Sequence, residues 1–249
     1  MSVTSDIDDQ PFAYRSPKHT LFDGIAFNMI TYLDSFEEVC DVEVISHSGA
    51  QPVEINLWDR KNSPYELPND IKGFYSLFNG FVLRWKVEVA DQEIIIGEIK
   101  LLKLENIVPI ALSEGTTFVL PTDVSSGLIV TVPDVRECVA FSLSSYEEGQ
   151  VALLYRRRPI SLETSSPTGD FHMPPEMPEI WFQDNTGAWH FICYSFTQYM
   201  RLCVMHLGII GWLHMFTPEG ISMTCRQWMG MFCKERLCVY EHSRPSPDG

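Results

Sequence analysis

Apolar side chains recur at Phe22, Ile25, Met29, Leu33 and Phe36, at spacings of 3, 4, 4 and 3. That rhythm predicts a helix with one apolar face, because residues three and four apart share a side of an α-helix. The rhythm then shortens. Residues 42–46 alternate at period 2 and predict a strand, and residues 53–60 predict a short helix carrying Trp58. Leu67-Pro68-Asn69-Asp70 opens a further helix: proline is tolerated in a first turn, and Asp70 places a negative charge where the helix dipole favours one. This helix runs through Ile71, Phe74, Tyr75 and Phe78 and is expected to stop at Asn79-Gly80, where glycine can turn left-handed. Phe81, Leu83, Trp85, Val87 and Val89 then alternate on one face, Ala90-Asp91 reads as a turn, and residues 93–99 return as the second strand of a hairpin.

Residues 113–134 are rich in Ser, Thr, Gly and Pro and read as a long loop, and 138–143 with 150–155 predict a second hairpin around 144–149. Residues 161–178 carry four of the sixteen prolines and few aliphatics, which marks a loop or linker. Residues 179–183 read as a short strand. Phe196, Tyr199, Met200, Cys203 and Leu207 form a helical stripe, widened to nearly all sides by Leu202, Val204 and Met205, so this helix is expected to be buried between other elements. Two shorter helices are predicted near 210–216 and 223–232, within a helical segment spanning 195–232. The polar ends, 1–17 and 241–249, are expected to be mobile, which leaves 18–240 as one domain with a mostly antiparallel sheet, an N-terminal helix and a helical C-terminal segment: the α+β class.

Charge changes this picture along the chain. There are 33 Asp+Glu against 18 Lys+Arg, a net charge of -15 and a pI of about 4.8. The acidic excess lies in the first 155 residues, and the remainder is nearly neutral and rich in apolar residues. Such a chain repels nucleic-acid backbones and anionic membrane surfaces, so neither is an expected partner. The uncharged run 202–218 is 17 residues long, short of the roughly 20 a spanning helix needs, and holds Gly208, Gly211 and Pro218. The N-terminus is acidic and has no signal-peptide pattern. Seven cysteines without a C-x-x-C pair read as reduced, buried thiols, which favours the cytosol.

Candidate chemistry is sparse. No phosphate-binding glycine loop, nucleophile elbow or H-E-x-x-H metal motif occurs, and no cofactor is implied. His206 and His214 stand eight apart, but the glycines between them argue for two imidazoles bonded to backbone rather than a metal pair. Glu37-Glu38 and Glu147-Glu148 read as solvated surface charge. Arg156-Arg157-Arg158 is the one basic run. It reads either as a charged strand end that discourages edge pairing or as a small anion-contact patch with forked donors. Four of the six tryptophans lie between 179 and 232. Most of that aromatic surplus is expected in a core, but Trp, Tyr, Met and Arg also mark the centres of protein interfaces, so Trp181, Trp189, Tyr199, Arg201, Trp212 and Trp228 are candidate partner-binding residues.

Two stretches resemble known families. The Leu67-Pro68-Asn69-Asp70 helix with Phe74-Tyr75 and Asn79-Gly80, followed by the aromatic strand to Trp85, resembles the SUKH superfamily of the cell-wall-assembly-regulator type. The second is an ordered series of residues: Glu179 to Asp184, Trp189-His190-Phe191, Phe196-Thr197, Tyr199, Arg201-Leu202, His206-Leu207-Gly208, Trp212, Phe216-Thr217, Gly220-Ile221-Ser222 and Gln227-Trp228. It is similar to the tubulin polyglutamylase complex subunit 2 family. The similarity runs from about Leu21 to Phe232, with 103–150 loosely matched.

The resemblance implies a SUKH-like fold and a non-catalytic accessory role, not an enzyme, in adding glutamate chains to tubulin. Its implied partners are the other complex subunits, including a catalytic subunit of the tubulin–tyrosine-ligase type, with tubulin met indirectly. Its implied setting is cytoplasmic and cytoskeletal: microtubules, the cilium, and the centriole or basal body. The chain departs from the family at 113–134, and it carries little of the Lys-rich C-terminal tail the resemblance implies. Tubulin tails are polyanions, so the acidic front should repel them, leaving Arg156–Arg158 or the near-neutral back half for any direct contact. A general SUKH-type binding or scaffold module with another client is the alternative, and a stand-alone enzyme is a third reading.

Overall fold

The computed structural model describes residues 28–120, 132–156 and 177–243. In chain order the elements are α1 (Met29–Leu33), β1 (Val39–Ser48), α2 (Pro52–Lys61), α3 (Asn69–Leu77), β2 (Phe78–Val89), β3 (Gln92–Leu101), β4 (Pro109–Ile110) and β5 (Phe118–Val119). They continue as β6 (Cys138–Tyr146), β7 (Gly149–Arg156), β8 (Glu179–Asp184), β9 (Trp189–Cys193), α4 (Phe196–Met205), α5 (Met223–Phe232) and α6 (Lys234–Ser243).

Alternation builds the first sheet, ordered β1-β2-β3 and antiparallel throughout. Phe81, Leu83, Trp85 and Val87 point inward and are buried, while Arg84 and Lys86 stand on the outer face opposite Glu43 and Asp41 of β1. Val89, expected on the inner face, is 44% exposed because the strand ends there. Ala90 and Asp91 both have positive φ, at 51° and 60°, the geometry a two-residue hairpin turn requires.

The second sheet runs β4-β6-β7-β8-β9-β5. Its strands pair antiparallel except β5, which lies parallel to β9 and makes the sheet mixed. β7 is buried on both faces from Val151 to Tyr155, so its sequence is a continuous apolar run rather than an alternation. One face joins the main core, which also takes Ile71 and Tyr75 of α3, Leu83 and Trp85 of β2, Tyr199 and Cys203 of α4, and Met229 and Phe232 of α5. The other face forms a smaller cluster of Ala140, Ala152, Leu154, Trp181, Trp189 and Phe191 under Phe118 and Leu120.

Aromatic polar tips join these layers. Tyr75 donates its hydroxyl to the Leu102 carbonyl at 2.7 Å, Trp58 its indole N–H to the Ile107 carbonyl at 2.8 Å, and Tyr155 its hydroxyl to the Glu66 carbonyl at 2.7 Å. Each buries a large apolar ring while answering a backbone acceptor that would otherwise lose its water. Asp70 does more than complement a dipole. One carboxylate oxygen accepts from the Ile71 amide, and the other accepts both the amide of Thr197, at 2.9 Å, and its hydroxyl, at 3.0 Å, so the starts of α3 and α4 are held together.

Several expectations change. The helix stops at Leu77, and Phe78 already belongs to β2. Gly80 has φ +88, but Asn79-Gly80 serves the turn after β3: Asn79 Oδ1 accepts the Leu104 amide at 2.9 Å, and a Cβ on Gly80 would lie 2.8 Å from Lys103 Cγ. The strand expected at 42–46 extends over Val39–Ser48, and the long loop contains β5. β9 and α6 were not expected from the sequence pattern. α4 is not buried on all sides, since Thr197, Gln198 and Arg201 are exposed. The segment near 210–216 is a 3₁₀ turn, Trp212–Phe216, while α5 falls where the pattern placed it. Phe22, Ile25, the 1–17 terminus, residues 121–131, most of the 161–178 linker and the last six residues lie outside the described residues.

Asp70→Ala should lower stability by about 1–2 kcal/mol, since it deletes charge-assisted bonds to two helix N-termini. Urea unfolding of the variant against the parent measures this directly.

Candidate interaction site

The chain leaves α4 through a tight turn that returns to the edge of β3. The Glu98 amide donates to the Gly208 carbonyl at 2.8 Å, and the Ile210 amide to the Ile96 carbonyl at 2.9 Å, so this turn extends the first sheet by one short bridge. Contact this close needs two bare α-carbons. A Cβ on Gly97 would overlap the Trp85 indole, and one on Gly208 (φ +60) would lie 2.8 Å from the Glu98 carbonyl oxygen. Trp85 fixes the turn from below by donating its indole N–H to the Leu207 carbonyl at 2.8 Å.

Above this floor lies a groove of about 480 Å³, open to solvent. The outer face of β2 and β3 lines one side with Arg84, Ile95, Glu98 and Lys100, and the β6–β7 hairpin supplies Tyr146, Glu147 and Glu148. Ile210 and Trp212 belong to the returning turn. Arg84 and Glu98 pair at 2.7 Å. Glu148 accepts the Gly211 amide at 3.1 Å, and burial raises its pKa, a shift partly offset by that bond. At the groove base the Tyr146 and Tyr199 hydroxyls meet at 3.2 Å, and the Ser144 hydroxyl donates to the Lys100 carbonyl at 2.6 Å.

The residues singled out from the sequence divide into two sets. Trp181 and Trp189 are fully buried on the outer face of the second sheet, and Tyr199 and Trp212 lie in the main core. Their apolar rings are consumed by contacts within the chain: Phe118 packs edge-on against Trp181 at 5.3 Å, and His206 stacks on Trp212 at 4.9 Å. Trp228 is half-buried on α5, and Arg201 is exposed on α4. Arg156 closes β7 and reaches Glu179 at 2.9 Å, and the same carboxylate oxygen accepts the Trp181 indole N–H at 2.8 Å. That Arg156 pairing is internal, and Arg157 and Arg158 lie outside the described residues.

Sequence reasoning missed Arg84, Glu98 and Lys100, which are adjacent only through strand register. The one available signal was Glu147-Glu148 at a hairpin turn beside an apolar strand, and it read as ordinary surface charge.

The remaining ionisable groups are held by the fold. His206 is buried: its Nδ1 lies 2.8 Å from the Leu202 carbonyl, and burial depresses its pKa to about 4. At the β8–β9 turn, burial alone would raise the Asp184 pKa, but hydrogen bonds from Thr186, His190 and the Ala188 amide outweigh it and the net shift is downward. Burial raises the pKa of Cys193, Cys203, Cys225 and Cys233 to about 12 and that of Cys138 to about 11, whereas Cys40 and Cys238 are exposed. Among the described residues no group of three or more His, Cys, Asp or Glu side chains is placed to hold a metal ion, and no helix is long and apolar enough to cross a membrane.

These features define an α+β protein with an open charged groove, in which the aromatic-rich back half is folded onto the acidic front. Tubulin polyglutamylase complex subunit 2 of Rattus norvegicus is 30% identical over 212 residues, covering 80% of this chain and 67% of its own length. The proteins of the same name from Mus musculus and Homo sapiens are also 30% identical, over 213 and 211 residues. No family model matches the chain, and no solved structure does. The chain belongs to the tubulin polyglutamylase complex subunit 2 family.

Two outcomes follow from this geometry. Gly208→Ala should destabilise the fold by about 2–3 kcal/mol through positive φ and contact with the β3 backbone, read as a fall in Tm. The folded pKa of His206 lies below its ordinary value of 6.5, so its stabilising contribution is complete above pH 6.5 and is lost as pH falls toward 4. The loss is about 3 kcal/mol, and urea unfolding at stepped pH should show a flatter profile for His206→Gln.

Proposed function

We propose that this chain is a non-catalytic accessory subunit of a tubulin polyglutamylase complex, supporting glutamate-chain addition through contacts with other subunits. The observation that carries the reading is the 30% identity over 80% of the chain to proteins named as subunit 2 of that complex. The sequence supports it independently, since it holds no ATP-binding loop or ligase constellation. In this reading the catalytic chemistry belongs to a partner of the tubulin–tyrosine-ligase type, and the setting is the microtubule cytoskeleton, including cilium and centriole.

The charge distribution orders these contacts. An acidic front repels acidic tubulin tails, so the subunit meets its siblings first and tubulin through them. Four of the candidate partner residues, Trp181, Trp189, Tyr199 and Trp212, then contribute by holding the scaffold, and Arg201 and Trp228 remain as the surface members of the set.

Co-purification of the tagged chain from ciliated or neuronal lysate, scored for ligase subunits and glutamylation activity, tests the assignment. Recovery of neither would sink it. Trp189→Ala and Trp212→Ala should each cost about 3–5 kcal/mol of fold stability. Arg201→Glu should leave Tm within about 1 °C of the parent, as surface substitutions do, while lowering recovery of the sibling subunits.

A further inference from the structure

The groove beside the Gly208 turn holds charges that do not answer one another. Arg84 and Glu98 neutralise each other at 2.7 Å. The ammonium of Lys100 and the carboxylates of Glu147 and Glu148 have no ion-pair partner among the described residues, although all line the same 480 Å³ space. Glu148 is held in place by the Gly211 amide through Oε1. Two carboxylates and one ammonium without ion-pair partners thus line one groove, with the His214 imidazole acting on Glu148 from beside it.

The surroundings add to this bias. The outer face of the first sheet also carries exposed Asp41, Glu43, Glu88 and Glu93; besides Arg84 and Lys100 it holds the half-buried Lys86, which spans Asp41 at 3.3 Å and Glu93 at 3.0 Å. On the groove rim, Ile95 and Ile210 are 43% and 46% exposed, two apolar flanks on opposite elements. Carboxylates at the wall and apolar flanks at the rim match a long side chain with a methylene stem and a cationic head.

We propose that this groove receives a lysine or arginine side chain presented by a basic segment of a partner protein, its stem along Ile95 and Ile210 and its head against Glu147 and Glu148. Lys100 limits occupancy, because a second cation entering the groove meets its ammonium. The proposal rests on the reading of the chain as an interaction subunit.

An NMR titration of the full chain with a capped peptide of six arginines tests it. The amides of Gly208, Ile209 and Gly211 and the Trp212 indole should shift. Glu147→Gln combined with Glu148→Gln should weaken Kd about fivefold, and Lys100→Gln should tighten it about twofold, the range exposed charge pairs support. Glutamine at 148 keeps an oxygen for the Gly211 amide, and an unchanged Tm verifies the fold. Glu105→Gln combined with Glu235→Gln removes the same charge from exposed positions outside the groove and should leave Kd unchanged. Equal weakening by that control pair, looser binding in Lys100→Gln, or shifts spread over the acidic surface without favouring 208–212 would overturn the proposal. Because binding is read on the isolated chain, its failure is distinct from failure to recover sibling subunits, which bears on complex membership alone.

Discussion

The close approach of two backbones, at Gly97 of β3 and Gly208 of the returning turn, is the constraint on which the rest of the molecule depends. It carries the chain from the end of α4 back to the first sheet, and the Trp85 indole answers the Leu207 carbonyl directly beneath it. Without that contact α4 and the helices after it would have no fixed relation to β2 and β3. The inner face of β2, with Leu83 and Trp85, would lose its cover from Phe232, whose ring lies 4.9 Å from that of Trp85. The groove exists for the same reason: its floor is the bridge itself.

A second economy runs through the structure. Four of the large interior rings direct their polar tips at backbone carbonyls: Trp58, Trp85, Tyr75 and Tyr155 each close a backbone acceptor from a different segment. This lets the core use large rings without stranding their N–H and O–H groups. Trp189 and His190 are exceptions, the Trp189 indole nitrogen and His190 Nδ1 being buried without a partner among the described residues.

Local pattern made much of the fold legible. Residues 81–87 alternate because one side of β2 faces the core and the other faces water, so period alone assigns them. α5 was legible because its buried Cys225, Met229 and Phe232 recur at helical spacing. β9 was not, since all five of its residues are buried and His190 stands among them, so it shows neither an alternation nor an unbroken apolar run. The tryptophans show a different limit. Composition signals large rings removed from water, and an interior and an interface satisfy that equally well, so Trp181 and Trp189 could be named without being placed. The groove lay beyond the reach of the sequence because Arg84 and Glu98 meet by strand register and Gly208 by a contact over a hundred residues from its partner strand.

The thiols have a consequence of a different kind. Burial holds Cys193, Cys203, Cys225 and Cys233 almost wholly protonated at neutral pH, and only the thiolate attacks alkylating reagents. Cys40 and Cys238 are the open pair. Under a thiol reagent the molecule therefore presents two fast sites and a slow interior set, and the slow set can react only when the core opens. The buried thiols thereby become a built-in clock for opening, with α4, α5 and the end of β9 each carrying its own hand.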